Sequence, residues 1–202
     1  MARRSVLANR RKHEKRQKRT QLILGLFIVV LMIMSVFGVM LYGQNDTASS
    51  VSESGYDFIA REEQGLQVWQ TEIAGDTASF LYLPSQTESV SAEFNRATLH
   101  EPLLILAFDP TQQDLEIIDY ARARFAEDLQ QNTQSSGTAV TVESSAYDIP
   151  LLNCSEDSAV VFRYGNQTSI SQDGSCVVVQ GEDPRSFLVA LERLRYIYYG
   201  VA

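Results

Sequence analysis

Residues 103–110 read LLILAFDP and carry the clearest structural signal in the chain. The first six are apolar without alternation, which is typical of a strand that is buried on both faces of a sheet. In the pair that follows, Asp109 can accept a hydrogen bond as the N-cap of a helix, and Pro110 suits the first helical position because its missing N–H is not needed there. We therefore expect a buried strand that leads directly into a helix.

The residues after Pro110 have helical periodicity. Apolar side chains fall on one face, which should pack on the sheet, whereas four charged residues are expected to face water. The apolar set is Leu115, Ile118, Phe125 and Leu129, and the charged set is Arg122, Arg124, Glu127 and Asp128. The helix should end by Gly137, before a strand at residues 138–142. Strand, helix and strand at this spacing predict a βαβ unit with parallel strands.

Short β-favouring runs lie on both sides of this unit. Residues 56–83 predict an antiparallel meander of three strands, and further strands are expected at residues 160–164, 168–170 and 176–180. Asp183-Pro184 repeats the helix-starting pair before a final apolar stripe. The predicted fold class is therefore α/β (or α+β), with a mixed sheet in the order β-α-β-β-β-α after an N-terminal antiparallel meander.

Residues 22–42, LILGLFIVVLMIMSVFGVMLY, contain no charge and as a helix would span about 31 Å. They predict a transmembrane helix. Nine Lys/Arg in residues 1–20 favour a cytoplasmic N-terminus and an outside C-terminus in the cell membrane. The predicted parts are a basic cytoplasmic tail (1–21), the single-pass anchor (22–42), a flexible linker (43–55) and an extracytoplasmic domain (56–202). A cleaved secretory signal and a pilin-like leader remain alternatives.

Cys154 and Cys176 are the only cysteines in the chain. An even pair in an exported domain predicts a disulfide, with Cα atoms about 4.4–6.8 Å apart. Two unpaired, buried cysteines are the alternative. Asn45, Asn153 and Asn166 lie in N-x-Ser/Thr patterns and are candidates for glycosylation, although a region rich in Ser and Thr contains such patterns by chance.

The sequence has no pattern of a catalytic or metal site. After residue 20 it has one histidine, His100, and no lysine, so a nucleophile has few bases to activate it. We predict no catalytic residues, no metal ligands and no cofactor. The same region carries 24 Asp/Glu against eight Arg, and this acidic balance argues against nucleic-acid binding.

From Leu103 onward, the order of elements and the Ile149-Pro150 pair resemble the thioredoxin fold over about half of the chain. Residues 109–112, DPTQ, stand where thioredoxins have C-x-x-C, so the redox dithiol is absent. The basic tail, the anchor and the segments CVVVQG and RLRYIYYG also resemble single-pass membrane proteins of small-genome archaea that have no known activity. This second resemblance implies a location and an architecture but no mechanism.

We expect a membrane-anchored extracytoplasmic protein that is a non-enzymatic binding or envelope-assembly component. Its partners would be the lipid bilayer and an envelope protein or a surface polymer. The alternatives are a thioredoxin-like redox protein that uses Cys154 and Cys176, and a pilin-like surface subunit. Tyr196, Tyr198 and Tyr199 are expected to cover the edge of the core, with a partner-binding surface as the alternative.

Overall fold

The computed structural model describes residues 49–63 and 65–201. Within these residues, ten strands and three α-helices form two sheets and the helices that pack on them. The elements are β1 (Ser50–Glu53), β2 (Tyr56–Glu63), β3 (Leu66–Ile73), β4 (Asp76–Phe80), α1 (Pro84–Thr87), β5 (Ser91–Glu93), a 3₁₀ helix (Arg96–His100), β6 (Leu103–Phe108), α2 (Leu115–Gln131), β7 (Ser135–Val140), β8 (Ala159–Tyr164), β9 (Ser169–Asp173), β10 (Cys176–Gly181) and α3 (Pro184–Tyr199).

The larger sheet is mixed and has the strand order β5-β9-β10-β8-β6-β7. Four neighbouring strands, β10, β8, β6 and β7, run parallel, and β6, α2 and β7 form the predicted βαβ unit. Strand β9 is antiparallel to β10 and reverses the chain between the parallel strands β8 and β10. It also pairs with β5, a strand that the sequence did not indicate.

The smaller sheet is antiparallel, with the order β1-β2-β3-β4. Three of its strands come from the region predicted as a meander. The fourth, β1, lies within residues 43–55, which were predicted to be a flexible linker. That prediction is wrong for Ser50–Glu53, because Ser52 and Glu53 pair with Asp57 and Tyr56 across the turn at Ser54-Gly55.

Side chains of the larger sheet alternate between two apolar layers. Leu104, Leu106 and Phe108 of β6 face α2 and α3, in a core that also contains the apolar residues of both helices. The alternate residues of the sheet, such as Ala107 and Val161, pack against the segment that carries Leu152 and Cys154. The three central strands β6, β8 and β10 are therefore covered on both faces over most of their length, which explains their runs of apolar residues.

The Asp183-Pro184 pair starts a helix as predicted. The Asp183 carboxylate accepts a hydrogen bond from the N–H of Ser186 at 2.8 Å, and Pro184 takes the first helical position. At the other end, Gly200 closes α3 with φ of 73°, a left-handed conformation that suits glycine.

The Asp109-Pro110 pair does not start α2. The Asp109 carboxylate accepts instead from the N–H of Thr111, so it closes a local turn. The helix begins at Leu115, after Asp114 with a φ of 52°. The predicted start at Pro110 is wrong because an Asx turn competes with the helix for the same carboxylate.

The membrane-spanning helix predicted at residues 22–42 lies outside the described residues. Among the residues that the structure does describe, no helix is both long enough and apolar enough to cross a bilayer. The fold-class prediction is corrected on this point to a mixed α/β structure with two sheets and three helices. A single-pass protein of the cell membrane, with the cytoplasmic and outside ends predicted for it, is likewise not supported.

Candidate functional site

A cavity of about 510 Å³ lies where the β3–β4 turn, the 3₁₀ helix and the C-terminal ends of α2 and α3 meet. Its volume is in the range of small-molecule sites. The lining residues are Ile73, Ala74, Asp76, His100, Pro102, Gln131, Asn132, Thr133, Gln134, Tyr198 and Tyr199. Most of them carry neutral groups that can donate or accept hydrogen bonds, and two are tyrosines.

Two of the turns that line the cavity place non-glycine residues in the left-handed region. Ala74 has a φ of 55° in the two-residue hairpin turn between β3 and β4. Thr133 has a φ of 59° directly after α2, where glycine is the usual residue. Each such conformation costs of order 1 kcal/mol or more, and strained residues concentrate at functional sites. Two of the four such residues in the described part of the chain therefore border the cavity, and the other two, Ser54 and Asp114, do not line it.

Hydrogen bonds fix the aromatic side chains around the cavity. The hydroxyl of Tyr198 donates to Oε1 of Gln134 at 3.1 Å, and Nε2 of Gln134 donates to the carbonyl of Leu99 at 2.9 Å. The ring of His100 stacks on Tyr198 with the centroids 5.4 Å apart. The hydroxyl of Tyr199 donates to Asp128 at 2.9 Å. The rings are thus held before any ligand arrives.

Both phenols keep their protons at neutral pH. Burial raises the pKa of Tyr198 to about 12, and the nearby Asp128 carboxylate adds to this effect. Burial, followed by Asp128, also raises the pKa of Tyr199 above its ordinary value. The two tyrosines therefore contribute neutral hydroxyl groups to this region.

A buried ionic network lies behind Tyr199. Arg195 is 1% exposed, and its guanidinium donates to both Asp128 oxygens, at 2.6 and 2.9 Å. It also donates to Glu192 at 3.0 Å and to the carbonyl of Ser79 at 2.9 Å. The network joins α2, α3 and β4. Asp128 was predicted to face water, and this prediction is wrong because the carboxylate pairs with Arg195 inside the protein.

The cavity lacks the arrangement that common hydrolytic chemistry requires. Asp76 is the one carboxylate among its lining residues, whereas glycoside hydrolysis commonly uses two. No serine or cysteine lines it beside His100. Over the whole described part of the chain, no three His, Cys, Asp or Glu side chains are grouped to hold a metal ion. The arrangement can bind a ligand by hydrogen bonds and contacts with aromatic rings.

The residues that the sequence singled out do not meet at this cavity. Cys154 and Cys176 form a disulfide with Cα atoms 5.2 Å apart, in the apolar layer opposite the helices. Asn153 and Asn166 are exposed, and Asn45 lies outside the described residues. Exposure leaves these two asparagines accessible to modification.

Sequence reasoning missed the role of three residues. His100 was interpreted as a loop residue, and Tyr198 and Tyr199 as residues at the edge of the core. Tyr198 is 6% exposed and Tyr199 is partly buried, so both do pack in the core, yet each also lines the cavity. The alternation of aromatic residues in RYIYY was the available signal, but it does not indicate which hydroxyl faces a cavity. Tyr196 is fully buried and donates to the carbonyl of Tyr82.

No protein-family model matches the chain, and comparisons with curated proteins and with solved structures found no significant match. The resemblances to the thioredoxin fold and to archaeal proteins therefore stay predictions.

Proposed function

We propose that the chain is a non-enzymatic binding protein whose cavity recognises a neutral, polyhydroxylated ligand, such as a sugar unit of a surface polymer. The observation that carries this proposal is the set of converging neutral groups. Asn132, Thr133 and Gln134 follow one another at the end of α2, and all three line the cavity together with Gln131. The Gln134 amide is engaged within the protein, and Asn132 uses one N–H to bind the carbonyl of Asp128. The carbonyl of the Asn132 side chain, the Thr133 hydroxyl and the Gln131 amide N–H groups are the ones that can meet a ligand. Amides and hydroxyls both donate and accept, which matches the hydroxyl groups of a sugar.

The charges around the cavity favour a neutral ligand over an anion. No Lys or Arg lines it, so a phosphate or a carboxylate would find no cationic partner among the lining residues. Asp76 can accept hydrogen bonds from hydroxyl groups and would repel an anion. Aromatic rings at His100 and Tyr199 offer apolar surface for the C–H faces of a sugar ring.

The redox alternative has less support. The sulfur of a disulfide must be accessible to an attacking thiolate for exchange to be fast. Cys176 is fully buried in an apolar layer, and the linked Cys154 is partly buried there. This burial favours a structural role for the disulfide.

Removing single lining groups is expected to weaken binding of a neutral glycan. Asp76→Ala and His100→Ala each remove an exposed lining side chain, and each should weaken binding about tenfold because one contact with the ligand is lost. Isothermal titration of the full chain against a panel of cellobiose, chitobiose and mannobiose provides the measurement.

The matched controls are Glu72→Ala in β3 and Arg96→Ala in the 3₁₀ helix, which do not line the cavity. They should change affinity less than twofold. Equal weakening by lining and control variants, or no binding of any panel member at 10 mM, would contradict the proposal.

A further inference from the structure

The outer edge of β7 presents backbone groups that no described strand uses. The N–H of Ser135 donates to Pro102, the residue before β6, and the N–H of Thr141 donates to Phe108 of β6. The backbone groups of the odd-numbered residues therefore point toward β6. The backbone groups of Val140 point away from β6, because its N–H donates to the carbonyl of Pro150 and its carbonyl accepts from the N–H of Leu152. Since the backbone groups of neighbouring residues in a strand point to opposite sides, those of Ser136 and Thr138 also point away from β6. Both residues are exposed.

The segment at residues 150–152 shows how this edge can be extended. It pairs in parallel with Val140 through two backbone hydrogen bonds of 3.0 and 2.8 Å. It therefore occupies one end of the edge, and the next outward residues, Thr138 and Ser136, are left open. An added strand of a few residues would continue the same pattern of hydrogen bonds.

The strands at the other three edges of the two sheets are shorter in the described part of the chain, with four residues in β1 and five in β4. The carbonyl of Ser79 in β4 accepts from Arg124 and Arg195. Strand β5 has only three residues, and Glu53 of β1 uses its carboxylate to bind Ser85 of α1. Charges, short strands and covering elements are the usual means of blocking edge pairing. Strand β7 has six residues, SSGTAV, without a charge or a proline.

The surroundings of β7 indicate the chemistry of a strand that could pair there. Leu103, opposite Ser135 in β6, is 56% exposed, and Leu151 is 57% exposed. Glu143 and Asp148 lie exposed in the segment after β7. Arg122 also reaches this strand, since it donates to the hydroxyl of Thr138 at 3.2 Å, but its charge is paired with Asp119. Small side chains at Ser136 and Gly137 leave the edge sterically open, so a partner strand can approach.

We infer that β7 is a docking edge for an extended peptide segment of a partner protein, with small or aliphatic side chains at its centre and Lys or Arg beside them. Backbone hydrogen bonds to Ser136 and Thr138 supply the affinity, as in other cases of strand addition. Contacts with Leu151, which lies at the outer edge of β7, and attraction to the acidic segment supply selectivity. This inference does not depend on the ligand of the cavity.

Hydrogen exchange tests the docking edge directly. The probe is the capped peptide Lys-Val-Thr-Val-Thr-Lys, added to the full chain, with amide exchange followed residue by residue by NMR. We expect the amides of Ser136 and Thr138 to exchange at least tenfold more slowly with saturating peptide. The amides of Gly137 and Ala139, which face β6, should change little. Binding without protection of Ser136 and Thr138, or no binding at 1 mM, overturns the inference.

Peptide and protein variants separate strand addition from other contacts. Methylation of alternate peptide nitrogens should abolish binding for one alternate set and spare it for the other, because the N–H groups of only one set point toward β7.

Ser136→Pro removes a backbone N–H that points away from β6 and should weaken peptide binding at least tenfold, whereas the control Ser136→Ala keeps this N–H and should change the affinity less than twofold. A peptide with Glu at both ends should bind at least tenfold more weakly. Equal affinities within any of these pairs contradict the inference.

Discussion

Replacing Arg195 by methionine is expected to lower the free energy of unfolding by about 3–5 kcal/mol at neutral pH. Methionine fills much of the same space but leaves Asp128 and Glu192, both at most 3% exposed, without their cation. Loss of the contact between Arg195 and the ring of Phe80, 4.6 Å away, adds to the effect. Urea unfolding of the wild type and the variant measures the difference.

Glu192→Gln is the matched control for this prediction. Burial raises the pKa of Glu192 above its ordinary value, and Arg195 opposes that shift. A neutral glutamine in the same shape should therefore leave stability at pH 8 unchanged or higher. In the double variant with Arg195→Met, Glu192→Gln should recover at least about 1 kcal/mol of the free energy of unfolding, because it removes one of the two buried carboxylates that have lost their cation. A loss below 1 kcal/mol for Arg195→Met alone would contradict the account of the network.

The destabilisation by Arg195→Met should also depend on pH. The folded state holds the Glu192 proton more tightly than the unfolded state, so protonation stabilises the fold at low pH, and this contribution is lost as pH rises through the folded pKa. Without Arg195 the pKa of Glu192 rises further. The difference between variant and wild type should therefore grow from pH 5 to pH 8. A larger difference in the free energy of unfolding at pH 5 than at pH 8 would contradict a raised pKa for Glu192.

Removal of the disulfide by Cys154→Ala with Cys176→Ala is expected to cost about 3 kcal/mol, because the bond closes a loop with a sequence separation of 22. Thermal unfolding of oxidised wild type and double variant gives the value. Reductant should lower the stability of the wild type and leave the variant unchanged, which is the internal control.

The reduction potential distinguishes the structural disulfide from the redox alternative. A buried staple should have a potential below about −300 mV. A potential above about −250 mV, with turnover of a model disulfide, would favour exchange chemistry. Unchanged thermal stability in the double cysteine variant would contradict the structural role of the disulfide.

The central strands of the larger sheet could be predicted because burial on both faces produces continuous runs of apolar residues, whereas the short edge strand β5 has no such run. The run at Leu103–Phe108 and the strand of Cys176–Gly181 are apolar throughout, and both form central strands. The strand β1 could not be predicted in the same way, since its residues SVSE lie among Ser, Asn and Asp residues that are typical of a tether. Its pairing depends on the turn at Ser54-Gly55 and on β2.

The candidate site could not be predicted from local patterns. Asp128 and Arg195 are 67 positions apart, and a charged residue on a helix is expected to face water unless a partner is known. Likewise, the cavity combines the β3–β4 turn, the 3₁₀ helix, the end of α2 and the end of α3, which come together only in the folded chain. Chemistry that is assembled from four elements leaves no spacing motif.

The most direct test of the proposed function is an NMR titration of the full chain with the tightest-binding glycan of the panel. The account predicts that the backbone and side-chain signals of Asp76, His100, Asn132 and Tyr199 shift together and saturate with one affinity, while those of Asn166, in the turn between β8 and β9, do not move. Saturable shifts that cluster elsewhere, with the signals of the cavity unchanged, would contradict it.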